Sequence, residues 1–239
     1  MNSRNWLQSL LFLCVTGGLI VAALLVLLIS TLYPSLPSID ALTDYHPKSP
    51  LRVFDSEGSL IAEFGQERRA FVPIEQTPKV MKDAILAIED RRFYKHGGVD
   101  TKGILRAAVN NVTGGSKQGA STITMQVARN FFLSSERSLK RKINEALLAV
   151  KIEHTLSKDK ILELYINQIY LGQRAYGFAA AAQVYYGKPL DKLNLAEIAL
   201  LAGLPKAPTN YNPFTHPKRA ITRQREVLHD MYKFGFIDE

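Results

Sequence analysis

The sequence predicts a mainly helical domain with a small N-terminal β-hairpin, carried behind one transmembrane helix. Three observations predict it. Residues 7–33 hold no charged side chain, and the roughly 30 Å hydrocarbon core of a bilayer takes about 20 apolar residues in a helix. Leu51 to Phe64 places two short apolar runs around Asp55-Ser56-Glu57-Gly58, the pattern of a hairpin. From Thr77 onward apolar residues recur at helical spacing.

The N-terminal run competes with a cleaved signal peptide. Such peptides have apolar regions of only about 7–15 residues and a small-residue cleavage site, whereas this run is longer and ISTLYPSLPS follows it. Residues 1–6 therefore read as a cytoplasmic tail and residues 7–33 as an uncleaved anchor. Arg4 precedes the run and Asp40 is the first charge after it, so the amino terminus is expected inside and the domain outside. Residues 34–50, rich in Pro, Ser and Asp, read as a linker lifting a domain of residues 51–239 off the bilayer.

The net charge of +8 in 239 residues and the pI near 9.5 suit anionic lipid, diphosphate or nucleic acid partners. A location outside the cytoplasm excludes nucleic acid. The only cysteine, Cys14, lies in the apolar run, so the domain has no disulfide and no thiol for catalysis or metal binding.

Arg69 to Ile74 is expected to add a strand, and Thr77-Pro78 to start a helix with Thr as cap and Pro at its first position. That helix carries Ile85 and Ile88 on one face and then presents Glu89 and Asp90, followed by Phe93, His96 and Gly97–Gly98. A carboxylate beside apolar side chains has its charged form disfavoured, which suits it to proton transfer. The glycines would let the chain turn and leave the carboxylates at the rim of a cleft. On spacing alone, a solvated helix end with Glu89 and Asp90 paired to Arg91, Arg92 or Lys95 fits as well.

Ile104 to Val112 reads as a short helix and residues 113–119 as a flexible loop. In the next helix Ser121, Thr122, Gln126 and Arg129 can share one face. Hydroxyls, an amide and a cation suit sugar hydroxyls and phosphate oxygens; a capped helix with a polar outer face is the plainer alternative. Asn130 to Leu133 is expected either to dip into the membrane interface or to make an ordinary core contact. Arg137 to His154 reads as an amphipathic helix, with Leu139, Ile143, Leu147, Val150 and His154 toward the core and Arg137, Arg141 and Glu145 on the opposite side. Ser157 to Leu171 is another capped helix, Asn194 to Ala202 an apolar one, and Thr215 to Phe234 a closing basic one.

The pattern Glu89-Asp90-x-x-Phe93-x-x-His96-x-Gly98 resembles the first signature of the peptidoglycan glycosyltransferases, the glycan-polymerising modules of class A penicillin-binding proteins and of monofunctional transglycosylases. Gly119–Leu133 resembles the second signature. There the family usually has two glutamines where Met125-Gln126 stands, and Arg129 stands where many members have Lys. Arg141-Lys142-x-x-Glu145 resembles the third signature. Ser157–Leu171, with Glu163 and Asn167, resembles the fourth, and Gly172–Lys188 the fifth.

The resemblance implies a lysozyme-like glycosyltransferase domain that polymerises lipid II into β-1,4 glycan, with inversion and release of undecaprenyl diphosphate. It implies Glu89 as general base and Glu145 as the second pole of the site. Substrate contacts are then expected from Asp90, Phe93, His96, Ser121, Thr122, Gln126, Arg129, Lys140, Arg141, Lys142 and Lys206. A divalent cation, Mg or Mn, is expected at Glu145 together with the substrate diphosphate, and no organic cofactor. Implied partners are lipid II, lipid-linked glycan, the membrane and other cell-wall synthesis and division proteins. The implied place is the bacterial inner membrane, single-pass, with the domain on the periplasmic side. Glu163 is expected in an internal salt bridge and Asn167 fastening backbone. Ser157-x-x-Lys160 is a helix start unaccompanied by Ser-x-Asn or Lys-Thr-Gly, so no second enzyme is visible. The sequence fits both a monofunctional enzyme and the glycosyltransferase part of a longer class A protein. A glycan-cleaving enzyme and a silent membrane scaffold are the rival classes.

Overall fold

In the computed structural model the described residues are all those outside 1–2, 44, 46–50, 58–59, 66, 113–118, 120, 134–137 and 239. The expected loop at 113–119, Arg137, the hairpin's Gly58 and the end of the expected linker fall wholly or mostly outside them.

Helix α1 (Ser3–Leu32) is 30 residues long. Leu11, Phe12, Leu13, Leu19, Ile20, Val26 and Leu27 along it are exposed. Among the described residues, no helix is long and apolar enough to cross a membrane; several side chains of α1 lie outside the described set.

The stretch expected as a linker is docked over its first part. A 3-10 turn (Tyr33–Ser35) and helix α2 (Asp40–Thr43) bring Leu36, Ile39 and Leu42 into the core. These three stand three residues apart, so one side of this Pro- and Ser-rich stretch is apolar. Lys151 Nζ also donates to Pro37 O at 3.0 Å.

Strands β1 (Leu51–Phe54) and β2 (Leu60–Phe64) form the expected antiparallel hairpin, with Leu51 opposite Phe64 and a bulge between Val53 and Phe54. The strand expected at Arg69–Ile74 is shorter and earlier. It is β3 (Arg68–Arg69), which pairs in parallel with β4 (Ala175–Tyr176). Beyond it the chain is fastened by side chains rather than by a ladder. Asn167 Oδ1 accepts from Val72 N at 2.8 Å and its Nδ2 donates to Val72 O at 2.8 Å. Glu163 Oε2 accepts from Ile74 N at 3.0 Å while Oε1 pairs with Lys160 Nζ at 2.8 Å. These are the roles expected of Glu163 and Asn167.

The helices follow as α3 (Lys79–Glu89), α4 (Thr101–Val112), α5 (Ile123–Phe132), α6 (Leu139–Thr155), α7 (Lys158–Gln168), α8 (Phe178–Tyr186), α9 (Leu195–Gly203) and α10 (Pro217–Lys233). α3 packs with α9 and α10, and α5 is laid across α6 and α7. Met81, Ile85, Phe93, Ile123, Leu148, Ile152, Leu162, Tyr165 and Phe178 are the buried centre of this arrangement. Helix α3 begins one residue later than expected: Pro78 is its cap, and Thr77 Oγ1 donates to Pro73 O instead.

Two expected faces are corrected. On α6 the buried stripe is Glu145, Leu148, Ala149 and Ile152, while Leu139 is 85% exposed and His154 is exposed. The helix is thus turned so that Glu145 faces inward, which its two cationic neighbours make tolerable. On α5 the residues from Ile123 to Ala128 are all buried, so its polar side chains do not form an outer face. Phe131, Phe132 and Leu133 pack against the core, with Phe131 edge-on to Tyr45 at 5.1 Å between centroids. These three residues make the core contacts of the plainer reading while staying partly exposed.

Candidate active site

The C-terminal end of α3, the N-terminal half of α5, the turn after α9 and one face of α10 enclose a cleft of about 950 Å³. Glu89 lies on its wall at the last turn of α3, where apolar spacing puts Ile85 into the core and leaves the next turn to emerge from it. Gln126 Nε2 donates to Glu89 Oε2 at 2.8 Å. Burial raises the Glu89 carboxyl above the usual range; the Gln126 bond and the charges of Arg223, Arg129 and Lys206 pull it back. Glu89 is half-buried as a residue and lines the cleft, where a ligand can meet it. Tyr165 lies fully buried nearby. Its hydroxyl has no hydrogen-bond partner among the described residues, and burial with the Glu89 charge lifts its pKa well above the usual tyrosine value.

The adjacent carboxylate is differently used. Asp90 is 7% exposed. His96 Nε2 lies 3.0 Å from both of its oxygens, and Ile123 N donates to Oδ2 at 3.1 Å. An ionised carboxylate only accepts, so the imidazole proton sits on Nε2. The pair ties the end of α3 to the first turn of α5, and so fixes Glu89 relative to Gln126.

Beneath it, Phe93 is fully buried and Lys158 Nζ sits 4.3 Å from its ring centre. Lys158 also donates to His96 O at 2.6 Å and to Glu153 Oε1 at 2.7 Å. Gly98 completes the turn at φ +89°, a conformation L side chains avoid. A Cβ there would lie 2.8 Å from the Ala149 carbonyl carbon and oxygen, so glycine lets this loop touch α6. Thr122 caps α5 by accepting from Met125 N at 3.1 Å and donates to Gly98 O at 2.5 Å.

Of the residues expected at the site, the cleft thus gathers Glu89, Asp90, Ser121, Thr122, Gln126, Arg129 and Lys206. Phe93 and His96 are corrected: Phe93 is sealed in the core, and His96 is spent on Asp90 with its side chain 5% exposed. Asp90 and Thr122 line the wall, but their polar atoms are committed to holding it. Glu145, Arg141, Lys142 and Lys140 do not line this cleft among the described residues. Lys140 is exposed on α6. Lys142 Nζ bridges Glu145 Oε2, at 2.9 Å, to Ser121 Oγ at the cleft edge. Arg141 Nε lies 3.5 Å from Glu145 Oε1. Glu145 is 1% exposed, and two cations compensate its burial.

The remaining cleft wall was not anticipated. Arg91, Arg92 and Arg106 crowd one end, where burial and the two neighbouring cations pull the Arg91 pKa down. Arg92 pairs with Asp100 at 3.3 Å, and the Arg91 guanidinium stacks 4.4 Å from the Phe234 ring centre. Arg223, Glu226, His229, Asp230 and Lys233 face the cleft from α10. Their spacing of three and four along a helix was a legible signal of one face, but not of what that face meets.

A cluster of three or more acidic or histidine side chains able to hold a metal is absent among the described residues. Glu145 Oε1 is buried without a hydrogen bond among the described residues, but it lies off the cleft and faces Arg141 at 3.5 Å, so Glu145 as placed here does not fit the divalent ion expected there.

Residues 57–232 match the family model described as Transglycosylase. Penicillin-binding protein 1A of Neisseria flavescens is 58% identical over 221 residues, covering 92% of this chain and 27% of that protein. Penicillin-binding protein 1A of Pseudomonas aeruginosa is 52% identical over 236 residues, covering 98% and 28%. A crystal structure of penicillin-binding protein 1A from Haemophilus influenzae aligns with 81% of the chain and 19% of its own, at 29% identity and a TM-score of 0.46. The chain therefore spans about a quarter of the length of these curated relatives.

Proposed function

From its place in the transglycosylase family, to which this chain belongs, we propose that it is a peptidoglycan glycosyltransferase that polymerises lipid II into β-1,4-linked glycan. The observation carrying this is Glu89 itself: a carboxylate on the cleft wall, held by Gln126 at 2.8 Å and sharing the cleft with the cations Arg129, Arg223 and Lys206. A general base needs reach to the proton it takes and a pKa near the working pH. Burial moves the Glu89 carboxyl upward, in the direction of the second condition, and three cations restrain the rise.

In this reading the acceptor 4-hydroxyl lies against Glu89, which takes its proton as the oxygen attacks the donor anomeric carbon. The carbon–oxygen bond to the lipid diphosphate breaks from the opposite face, so configuration inverts. Arg129 and Lys206 would take the charge gathering on the departing diphosphate. Lys142 is held at the cleft edge by Ser121 and Glu145 and would extend that cationic track toward α6. Fixed charges aimed at developing charge are commonly the largest catalytic term.

Helix α1 is read as the membrane anchor, placing the domain at the outer face of a bacterial inner membrane. The sequence supports this reading: residues 7–33 lack charge, and large apolar side chains such as Leu13 and Phe12 stand exposed along the helix. Other cell-wall synthesis and division proteins are the partners this reading implies.

The test is incubation of the full chain in detergent with purified lipid II, with products resolved by gel. Glycan chains support the reading. Release of fragments from supplied polymer, without synthesis, would assign the cleft to a glycan-cleaving enzyme instead.

A further inference from the structure

Arg223 does not behave as its helix suggests. α10 is rich in Lys and Arg and reads as a solvated basic helix, yet Arg223 is 6% exposed. Its Nε donates to Gly203 O at 3.2 Å, its Nη1 pairs with Glu226 Oε2 at 2.8 Å, and its guanidinium lies 5.8 Å from the Tyr211 ring centre. Gly203 is the last residue of α9, where the helix dipole favours a cation. A Cβ on Gly203 would stand 2.8 Å from Arg223 Cγ and 3.7 Å from Cδ. The missing side chain is therefore the slot through which the arginine stem enters. Taking a guanidinium out of water is costly unless anions meet it. Its one direct carboxylate partner among the described residues, Glu226, is itself 49% exposed. Two further acids on the same cleft wall feel its charge: Asp230, on α10 itself, and Glu89, across the cleft wall on α3.

We propose that Arg223, seated in the slot left by Gly203, is a positioning residue that supplies Glu89 with a fixed counter-charge. The proposal rests on the reading of Glu89 as the base. The groups facing Glu89 are Gln126 and Arg129 from α5, Lys206 from the turn after α9, Tyr165 from α7 and Arg223 from α10. Of the three cations, Lys206 is exposed and Arg129 half-buried, so both are placed to turn toward an arriving diphosphate. Once they do, their charge is shared with the substrate. Arg223 is tethered at Gly203 O and Glu226 and stays. It offsets the burial of Glu89 when the cleft is full, which is when the base must still be ionised.

The experiment reads Glu89 without substrate. The full chain in detergent micelles is labelled with side-chain carboxyl ¹³C-glutamate, and the Glu89 resonance is identified by its loss in Glu89→Gln. Its titration midpoint is then compared among variants. The midpoint is expected to move to higher pH in Arg223→Met and in Gly203→Ala, and to return toward the original in Arg223→Lys, which keeps the charge. In Glu226→Gln, where Arg223 loses its competing anion, it is expected to move to lower pH. An unmoved midpoint in a folded Arg223→Met chain overturns the proposal. Should that variant not fold, an unmoved midpoint in Glu226→Gln, a change at a half-exposed residue, overturns it equally. The pH profile of lipid II polymerisation should shift in the same directions. A chain whose midpoints move as expected but which makes no glycan refutes the functional reading and leaves the Arg223–Glu89 coupling standing.

Discussion

Replacing Asp90 by Asn separates a carboxylate that holds the site from one that meets substrate. Asp90 and His96 are 4% and 5% exposed at their side chains, and the carboxylate accepts hydrogen bonds from His96 Nε2 and the Ile123 amide. Asn keeps the volume but offers one acceptor oxygen, so its NH₂ must face one of the two donors. Hydrogen bonds to a charged group are worth about 1.5–3 kcal/mol each, and breaking a buried pair by removing one partner costs about 3–5 kcal/mol. We expect a loss of about 3 kcal/mol. For a domain of this size that corresponds to a fall in Tm of roughly 6–12 °C, at ~2–4 °C per kcal/mol. Thermal unfolding of the full chain in detergent, read by circular dichroism, measures it. Because the bond joins α3 to α5, activity should fall too, but by less than in Glu89→Gln. An unchanged Tm with a loss of activity as large as that of Glu89→Gln would refute the reasoning and return Asp90 to the substrate.

Gln126→Leu removes the 2.8 Å bond that helps keep Glu89 ionised. The folded carboxyl, already raised by burial, should rise further. A base works only when ionised, so the acid limb of the pH–rate profile should move to higher pH, and the rate at pH 6 should fall more than at pH 8; equal losses at both would contradict this. Charge removal at Arg141 loosens its 3.5 Å contact with Glu145. Binding of diphosphate-bearing lipids should weaken more than binding of lipid-free glycan in a vesicle or micelle partition assay, and equal losses would mark Arg141 as a purely structural partner of Glu145.

The presence of the long helices was legible because apolar residues recur at helical spacing along them. Ile85 in α3 is buried where a helical stripe puts it, whereas α7 is buried all round from Ile161 to Asn167. The orientation of α6 was not, because a charged residue is read as outward-facing. Glu145 faces inward on account of Lys142 and Arg141, one turn away on the same helix, and pairing rather than hydropathy decides its side. Leu36, Ile39 and Leu42 carried a periodic signal inside a segment whose Pro and Ser content suggested a spacer. At the site, Glu89 and Gln126 came together as the motifs implied. The fates of Asp90, Phe93 and His96 depended on three-dimensional partners. Asp90 and His96 stand six residues apart on either side of a turn, and a sequence pattern shows that both are present without showing that they bind each other. Arg223 was hidden for the same reason: its slot is made by Gly203, 20 residues earlier on another helix.

Everything proposed for the cleft turns on Glu89 as the base of a polymerising glycosyltransferase. Glu89→Gln keeps the side chain's shape and removes its proton acceptor. Loss of a general base commonly costs about 10²–10⁴-fold. The direct measurement is the initial rate of glycan formation from purified lipid II by the original chain and by Glu89→Gln, at equal folded concentration and pH 7.5. The account predicts glycan from the first and a rate lower by at least about a hundredfold from the second, with the Tm of the variant equal to or above the original, since an ionised carboxylate raised by burial no longer has to be accommodated. A Gln variant polymerising within a fewfold of the original rate would contradict it.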